Sequence, residues 1–177
     1  MSDATLLKSR PVYAGRIVDL SVDEVRLPNG NVCALETIRH PGASAVVPVD
    51  DDGRVLLVRQ FRWATGGYLL EVPAGKLDRG EPPEDCARRE VEEETGRRPR
   101  TLHPLGWIWT TPGFSDEKIW LYAATGLEAT RQQLQPDEVL TVEAVPLVDA
   151  VAMALDGRIV DAKSICAILR AAHKLGR

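Results

Sequence analysis

One segment of the sequence, Gly75–Gly96, constrains the fold more than any other, because it predicts a single helix with defined ends. The pair Pro82–Pro83 suits the first turn of a helix, where a missing N–H costs little. Gly96 is typical of the residue that follows a helix. We therefore expect a helix that starts near Glu84 and ends near Gly96.

Three carboxylates crowd one face of this helix. Glu90, Glu93 and Glu94 lie at i, i+3 and i+4, a spacing at which like charges repel each other. Two carboxylates about 5.5 Å apart repel by about 3 kcal/mol at an effective dielectric constant near 20, and one ion pair with Arg89 returns less than this. A solvated surface helix, the alternative interpretation, explains the arginines but not this cluster. A divalent cation with oxygen ligands would neutralise it, so the helix is expected to supply part of a metal site.

Composition limits the other possibilities. The chain has 177 residues, 44% of them apolar, which suits one domain with a substantial core. Its net charge of −4 comes from well-mixed acidic and basic residues, so nucleic acid is not expected as a partner. The first ten residues do not resemble a signal peptide, and no apolar run reaches the length of a membrane span. These features predict a cytoplasmic protein with no membrane contact.

Neither cysteine nor histidine is assigned any chemistry. The three cysteines lack a C-x-x-C pair, which argues against a disulfide framework and against a thiolate zinc site, so they are expected to be reduced and mostly buried. Both sets are scattered along the chain: Cys33, Cys86, Cys166, His40, His103 and His173.

Periodicity predicts an α/β fold with a mixed sheet. Alternating apolar residues at Arg16–Leu27 and Val32–Ile38 flank an Asn-Gly turn, which predicts an N-terminal hairpin that stands apart from the sheet. A final helix is expected from Ser164, as its N-cap, to Lys174. Further strands are predicted at Ala43–Val49, Arg54–Phe61, Tyr68–Val72, Leu105–Thr110, Lys118–Ala124 and Leu140–Leu147, and another helix at Val148–Leu155.

The charged positions of the acidic segment form a known pattern. Gly75, Glu81 and the run Arg89–Gly96 match G-x5-E-x7-R-E-U-x-E-E-x-G-U, where U is aliphatic, and this resembles the box of the Nudix hydrolases. One position departs from the pattern, since Arg97 stands where an aliphatic residue is usual. The resemblance implies an α/β/α sandwich with a mixed sheet over residues 41–177. It also implies an N-terminal β-hairpin arm over residues 1–40 that serves in dimerisation.

The resemblance also implies roles within the box. Arg89 would orient the glutamates through ion pairs, and Glu81 would support the loop or a further metal through water. The implied cofactor is Mg²⁺, with Mn²⁺ as the alternative. Two cations can clamp a diphosphate and help to deprotonate a water, so hydrolysis of a P–O–P linkage is expected. The implied metal ligands are Glu90, Glu94, Glu93 and the carbonyl of Ala74.

The flanks of the box resemble the ADP-ribose pyrophosphatase branch of the family. Three runs carry this likeness: VRQFRW at Val58–Trp63, EVPAGKLD from Glu71, and TPGFSDEK at Thr111–Lys118. The implied substrate is ADP-ribose, cut to AMP and ribose 5-phosphate, or a related nucleoside diphosphate sugar. GDP-mannose or another sugar nucleotide is the alternative substrate. A non-catalytic ligand sensor is disfavoured, because every box glutamate is present.

Substrate contacts are expected on four segments. Arg59 and Arg62 are three residues apart on one strand, so at most one of them can face the site, and Arg59 is favoured over Arg62. Arginine suits bidentate contact with phosphate. The remaining candidates are Glu71 for a ribose, Glu36 for the base, Gly113 and Ser115 in a Pro-Gly loop, and Glu117 near the metals. One aromatic ring could stack on adenine, with Trp63, Trp107, Trp109, Phe114 and Trp120 left open.

The catalytic candidates are Glu93, Arg89 and Glu138. In the resembled branch a glutamate from a mobile loop between the last strands activates the attacking water, and Glu138 occupies that position, with Asp137 beside it. The alternative is an ordinary acidic turn. Members of this branch usually form homodimers in which the hairpin of one subunit covers the site of the other. An isolated hairpin is marginal in water, so a homodimer is expected here.

Overall fold

The computed structural model describes residues 3–176. These residues form ten strands and three α-helices, with one 3₁₀ turn at Trp63–Thr65. They fall into two compact units. The first contains the chain up to Gly42 together with Trp109–Lys118, and the second contains Ala43–Ile108 and the chain from Ile119 onward. The grouping of Trp109–Lys118 with the N-terminal strands had no signal in the sequence.

The N-terminal unit contains a three-stranded antiparallel sheet instead of a hairpin alone. Strands β2 (Asp19–Arg26) and β3 (Val32–Arg39) form the expected hairpin, and β1 (Thr5–Ala14) pairs with β2 at the edge. The prediction missed β1. All ten of its residues are exposed, so it lacks the apolar alternation that marks a half-buried strand. Its register against β2 also shifts twice.

Buried Asp23 ties this sheet together. Its carboxylate accepts hydrogen bonds from Ser9 Oγ on β1 at 2.6 Å and from Ser21 Oγ on β2 at 2.9 Å, and it pairs with Arg39 Nη2 on β3 at 3.1 Å. Arg39 also binds Asp116 at 3.1 Å, which attaches the segment Trp109–Lys118 to the end of β3. One carboxylate therefore has partners from all three strands.

The second unit contains two sheets and the three helices. In the four-stranded sheet, of order β7-β4-β9-β8, strand β4 (Ala43–Pro48) is parallel to β9 (Lys118–Ala129) and antiparallel to β7 (Ala74–Lys76). The edge strand β8 (Arg97–Trp109) begins well before the predicted Leu105, because the charged residues and prolines at its start conceal it.

The second sheet of this unit is antiparallel and three-stranded. Its order is β10-β5-β6, with β5 (Arg54–Arg62) in the centre, β6 (Gly67–Glu71) on one side and β10 (Leu140–Pro146) on the other. Strand β6 ends at Glu71, and the box loop follows directly.

The three helices are α1 (Pro83–Thr95), α2 (Leu147–Asp156) and α3 (Ala162–Leu175). The predicted N-cap of α3 is wrong: Asp161 caps this helix, and its side chain accepts a hydrogen bond from Ser164 N at 3.0 Å. None of the helices in the described part of the chain is long and apolar enough to cross a membrane.

Strand β4 separates two apolar cores. Val46 packs with Ala87 and Val91 of α1 on one face, whereas Ala45 and Val47 belong to a larger core with α2 and α3 on the other. Helices therefore cover both faces of the sheet, which confirms the predicted α/β/α sandwich.

The cysteines are free thiols, but they are less buried than expected. Cys86 is buried in α1, whereas Cys33 and Cys166 are only half-buried. Burial raises the pKa of the Cys86 thiol to about 12, and the charge of Glu90 adds to the rise, so this thiol stays protonated and unreactive.

Candidate active site

The acidic helix α1 begins and ends as its sequence predicts. Pro82 and Pro83 occupy the N-cap and first helical positions, and Gly96 adopts the left-handed conformation at φ 64°, with its N–H bonded to the carbonyl of Glu92 at 2.9 Å. The helix turns Glu90 and Glu94 inward together with Val91, and the two carboxylates are 4% and 1% exposed. Two acidic side chains are thus packed where apolar residues would be usual.

Gly75 makes room for one of these carboxylates. A Cβ atom built on Gly75 would lie 2.0 Å from Oε1 of Glu90. Any larger residue would therefore displace Glu90 from the box loop. The first glycine of the box is required here for space next to a buried carboxylate.

Arg89 connects three glutamates. Its Nε and Nη2 atoms bind the two oxygens of Glu81 at 2.8 and 2.9 Å, and its Nη1 atom contacts Glu90 and lies 3.3 Å from Glu93. The fork geometry of the guanidinium allows this division, because Nε and Nη2 bind one carboxylate side by side and leave Nη1 for the others. Arg89 thus holds Glu90 and Glu93 on the same side of the helix.

Positive charge in this region does not balance the buried carboxylates. Burial raises the pKa of Glu90 to about 7 despite the opposing effect of Arg89, and the charges of Glu93 and Glu138 add to the rise. Burial also raises the pKa of Glu94 well above its ordinary value, with Glu90 and Glu138 adding to it, and the N–H of Ala74 at 3.3 Å offsets only part. The nearby positive groups therefore offset only part of the effect of burial on Glu90 and Glu94.

The donor atoms here suit a divalent cation of the magnesium type. Carboxylate and carbonyl oxygens are the ligands that such hard cations prefer, and Gly75 leaves space for Glu90 beside the loop. Among residues 3–176, no three acidic, histidine or cysteine side chains already converge as a metal cluster. Arg89 contacts both Glu90 and Glu93, so a cation would compete with it for them. The residues that would hold the cation are Glu90, Glu94, Glu93 and the carbonyl of Ala74.

The segment after β9 is attached to the end of α1, which the sequence did not reveal. The closeness is visible at Gly96, where a Cβ atom would lie 3.0 Å from Gln132 N. The last carbonyls of a helix need donors from elsewhere, which is the signal that could have suggested such a partner. The three bonds are Thr130 N to Gly96 O at 2.9 Å, Gln133 N to Glu93 O at 2.9 Å, and Gln132 Nε2 to Glu94 O at 2.7 Å.

The same segment brings Glu138 toward the buried carboxylates. Its carboxylate accepts a hydrogen bond from Gln135 N at 2.7 Å, and its own N–H donates to the Gln135 carbonyl at 3.0 Å, which closes a tight turn. The charge of Glu138 contributes to the raised pKa of both Glu90 and Glu94, so it lies within electrostatic reach of them. The candidate base is therefore close enough to two candidate metal ligands for its charge to affect their protonation.

The two candidate arginines on β5 have different surroundings. Arg59 is exposed, with its guanidinium carbon 5.4 Å from the centre of the Tyr68 ring. Arg62 is half-buried and binds both oxygens of Glu71, at 2.9 and 2.8 Å. Hydrogen bonds to Glu71 raise the pKa of Arg62, and the charge of Glu94 adds to this. Arg62, the less favoured of the two, is thus close enough to Glu94 for their charges to interact.

Glu71 is fully engaged by protein partners. Burial alone would raise its pKa, but hydrogen bonds from Arg62 and the charge and hydrogen bond of Lys163 outweigh burial and lower the pKa to about 2. Its carboxylate is 1% exposed. Contact between Glu71 and a ribose, as expected from the sequence, would have to compete with both cations.

The remaining candidates lie in the N-terminal unit, and their roles stay predictions. Glu36 is exposed on β3, and Gly113 is exposed in the loop before β9. Ser115 Oγ accepts a hydrogen bond from Glu117 N at 3.1 Å, and Glu117 accepts one from Thr110 Oγ1 at 2.8 Å. These contacts order the loop itself.

Four of the five candidate aromatic rings are exposed. Trp120 differs, because it packs against the small core beside α1. A core position makes it the weakest candidate for stacking on a base. The exposed rings are Trp63, Trp107, Trp109 and Phe114.

Comparison with known proteins identifies the domains and the fold of this chain. A model of the NUDIX domain matches residues 38–168, and a model of the nucleoside diphosphate sugar hydrolase N-terminal domain matches residues 5–33. The solved structure of an ADP compounds hydrolase superimposes with a TM-score of 0.86, covering 99% of this chain and 96% of that one, at 23% sequence identity. At that identity the likeness concerns the fold.

Curated relatives extend the likeness to sequence. The ADP-ribose pyrophosphatase of Bacillus subtilis is 38% identical over 170 residues, which cover 95% of this chain and 91% of the relative. The GDP-mannose pyrophosphatase of Yersinia enterocolitica is 38% identical over 136 residues, which cover 72% of this chain and 71% of the relative. Nudix hydrolases generally need a divalent metal, as the unbalanced carboxylates of α1 would lead one to expect. Together with the complete box from Gly75 to Gly96, these matches establish that the chain belongs to the Nudix hydrolase family.

Proposed function

We propose that this enzyme hydrolyses the diphosphate linkage of ADP-ribose or a related nucleoside diphosphate sugar. The products from ADP-ribose would be AMP and ribose 5-phosphate. Mg²⁺ would serve as the cation, with Mn²⁺ able to replace it. The observation that carries the proposal is the pair of buried carboxylates, Glu90 and Glu94, which lie next to the box loop. Burial raises the pKa values of both, and the charges of neighbouring carboxylates add to the rise.

Each neighbouring residue has a definable part in such a reaction. When bound, the cation would stabilise charge on the diphosphate and lower the pKa of a water. Arg89 holds Glu93 and Glu90 in place, and Arg62 offers its guanidinium to a phosphate oxygen. Glu138 accepts the proton of the attacking water. The new P–O bond forms as the P–O bond to the bridging oxygen breaks, and the leaving phosphate keeps the electron pair.

The likeness to relatives supports the substrate class. The B. subtilis relative acts on ADP-ribose by its name, and the matching N-terminal family model is named for nucleoside diphosphate sugar hydrolases. GDP-mannose is the second candidate substrate, favoured by the Yersinia relative, which is equally identical over a shorter alignment. A ligand sensor without turnover remains the alternative from another class, and the complete set of box glutamates opposes it.

A panel of substrates tests the proposal. Purified protein with Mg²⁺ would be given ADP-ribose, GDP-mannose, other sugar nucleotides and dinucleoside polyphosphates, and kcat/KM would be measured for each. We expect the highest value for ADP-ribose or another nucleoside diphosphate sugar, with AMP and ribose 5-phosphate as the products from ADP-ribose. Tight binding without turnover across the panel would support the sensor, and a preference for dinucleoside polyphosphates would reject the proposed class.

We also propose that the enzyme is a homodimer joined through its N-terminal sheet. Strand β1 is exposed along its whole length, and the sheet exposes several large apolar residues that a partner could cover. They are Leu6, Leu7, Val12, Tyr13, Val32 and Leu35. Light scattering should give twice the chain mass of 19.4 kDa, and a monomer mass at working concentration would remove the proposal. Cytoplasmic location and the lack of a nucleic-acid partner stay predictions from the sequence.

A further inference from the structure

We propose that Lys163, in the first turn of α3, is a positioning residue for the diphosphate site. It acts through Glu71 to fix the guanidinium of Arg62. This inference rests on the proposed function, because Arg62 is taken to bind a phosphate of the substrate. Lys163 lies outside the Nudix box and far from it in sequence, so the box pattern assigns it no role.

The contact geometry places Glu71 between two cations. Arg62 binds it with two parallel bonds, Nε to Oε1 at 2.9 Å and Nη2 to Oε2 at 2.8 Å. Lys163 Nζ reaches the same Oε2 at 2.5 Å. The side chains of Lys163 and Glu71 are only 14% and 2% exposed, so solvent screens this ion pair much less than a surface pair.

The start of α3 is itself fixed to the end of β6. The carboxylate of Asp161 accepts hydrogen bonds from Lys163 Nζ and from Ser164 N, both at 3.0 Å. It also accepts a hydrogen bond from the hydroxyl of Ser164. Ser164 Oγ in turn accepts the N–H of Val72 at 2.8 Å, next to Glu71. The first turn of α3 therefore holds both the backbone and the side chain at the end of β6.

A physical reason exists for a second contact on Glu71. The last torsion of a glutamate side chain is broad, so its carboxylate plane is poorly defined by the backbone. Two parallel bonds make the guanidinium share that plane. Lys163 restricts the carboxylate, and this in turn fixes the plane of Arg62. The pair uses Nε and Nη2, so Nη1 remains on the outer edge of the guanidinium.

The orientation of the guanidinium of Arg62 is relevant to substrate binding for two reasons. Its charge interacts with that of Glu94, and its side chain is 38% exposed and so accessible to a ligand. A phosphate bound by a cation at Glu94 would thus be within the neighbourhood of Arg62. A guanidinium free to rotate would lose the entropy of ordering on each binding event. Loss of Lys163 should therefore weaken substrate binding more than it slows the chemical step.

The test compares Lys163→Met, which keeps the length of the side chain, with Lys163→Arg, which keeps the charge. Lys163→Met should raise KM for ADP-ribose about 10-fold and change kcat by no more than about twofold, whereas Lys163→Arg should restore KM to within about threefold of wild type. Lys174→Met is the matched control, because Lys174 is exposed on the same helix and should change neither constant.

A double variant separates positioning from simple stabilisation of α3. If Lys163 acts through Arg62, then Arg62→Lys/Lys163→Met should bind substrate no more weakly than Arg62→Lys alone. Independent, multiplied losses would overturn the inference. So would a Lys163→Met variant whose Tm falls while its KM stays at the wild-type value.

A measurement without substrate keeps the inference apart from the proposed function. The Arg62 Nε–H signal in a ¹H–¹⁵N spectrum, assigned by its loss in Arg62→Lys, should exchange slowly in wild type and at least about 10-fold faster in Lys163→Met. Unchanged exchange would overturn the inference. A wild type that hydrolyses no diphosphate would reject the proposed function, and this signal would still decide whether Lys163 fixes Arg62.

Discussion

Glu71 at the end of β6 and Glu94 in the last turn of α1 are equally buried, at 1% exposure each, yet their environments have opposite effects. Arg62 and Lys163 outweigh the effect of burial on Glu71 and lower its pKa to about 2. Burial raises the pKa of Glu94 well above its ordinary value, and the charges of Glu90 and Glu138 reinforce the rise. Burial by itself therefore does not tell the role of an acidic residue.

The difference lies in which region supplies its own positive charge. The charge of a buried carboxylate with two cationic partners is compensated within the protein, and the carboxylate stabilises the fold only while both partners are present. The charge of a buried carboxylate beside other carboxylates is not compensated within the protein, and a bound metal cation would stabilise it. The same residue type thus serves structure at β6 and, in our interpretation, metal binding at α1.

Replacing Glu94 should have the largest effect on activity. Glu94→Gln removes a proposed ligand and should lower kcat by about 10³-fold. The free energy of unfolding without metal should stay the same or rise, because a poorly solvated charge is lost. Steady-state kinetics and urea unfolding would measure the two quantities. Glu92→Gln is the matched control on the same helix, since Glu92 pairs with Arg98 instead. Near-normal turnover of Glu94→Gln would reject its role as a ligand.

Replacing Gly75 should have the next largest effect. In Gly75→Ala the new Cβ atom would meet the carboxylate of Glu90, whose nearest oxygen is 2.0 Å away, and push it out of position. We expect turnover to fall by about 10²-fold while circular dichroism shows an intact fold. Gly67→Ala is the control, because a Cβ atom there meets nothing within 4 Å. Equal activity of the two variants would show that the space at Gly75 is not needed.

Replacing Glu71 should reverse the pattern seen for Glu94. Glu71→Gln leaves half-buried Arg62 and the more buried Lys163 without their carboxylate. The free energy of unfolding should therefore fall by about 2 kcal/mol in urea titrations, less than for a fully buried pair because solvent screens part of the charge of Arg62. A variant as stable as wild type would mean that the ion pairs at β6 contribute little. The claim that Glu71 stabilises the fold, in contrast to Glu94, would then be rejected.

The pH dependence of stability sharpens the same contrast. The folded-state pKa of Glu71, about 2, lies below the ordinary value of 4.5, so its contribution is present above pH 4.5 and is lost as the pH falls toward 2. The stability difference between wild type and Glu71→Gln should therefore be constant above about pH 5 and shrink between about pH 4.5 and pH 2. A difference that does not change across this window would contradict the lowered pKa.

Loosening the segment that carries Glu138 should have the smallest effect. Gln132→Ala removes the bond from Nε2 to the carbonyl of Glu94 and should cost about 1 kcal/mol of stability. Turnover should fall only a few-fold, because two backbone bonds of the segment remain. Gln133→Ala is the control, since Gln133 contributes its backbone N–H. Indistinguishable stability and kcat of the two variants would show that Gln132 does not hold the segment.

Local chemistry explains what the sequence could predict. Pro82, Pro83 and Gly96 determine the ends of α1 through backbone restrictions alone, and helical spacing puts Glu90 and Glu94 on one face. Because these effects act within a few residues, they are visible without knowledge of the tertiary structure. The order of the predicted strands and helices indicated an α/β fold with a mixed sheet, and the resemblance to the Nudix hydrolases implied the α/β/α sandwich.

Long-range contacts explain what the sequence could not predict. Lys163 and Glu71 are 92 positions apart, and no local pattern links them. The choice between Arg59 and Arg62 depended on which face of β5 meets Glu71, and this is set by pairing with β6. Asp161 caps α3 in place of Ser164, because Ser164 Oγ is used to bind Val72 N. Strand β1 was missed because it buries nothing within the described residues.

Calorimetric titration of Mn²⁺ and Mg²⁺ into metal-free protein tests the central claim most directly. We predict saturable binding by wild type and by Glu71→Gln at a temperature where both are folded, and loss of that binding in Glu94→Gln. Equal affinity of wild type and Glu94→Gln for both cations would contradict the claim that the buried carboxylates of α1 form the metal site.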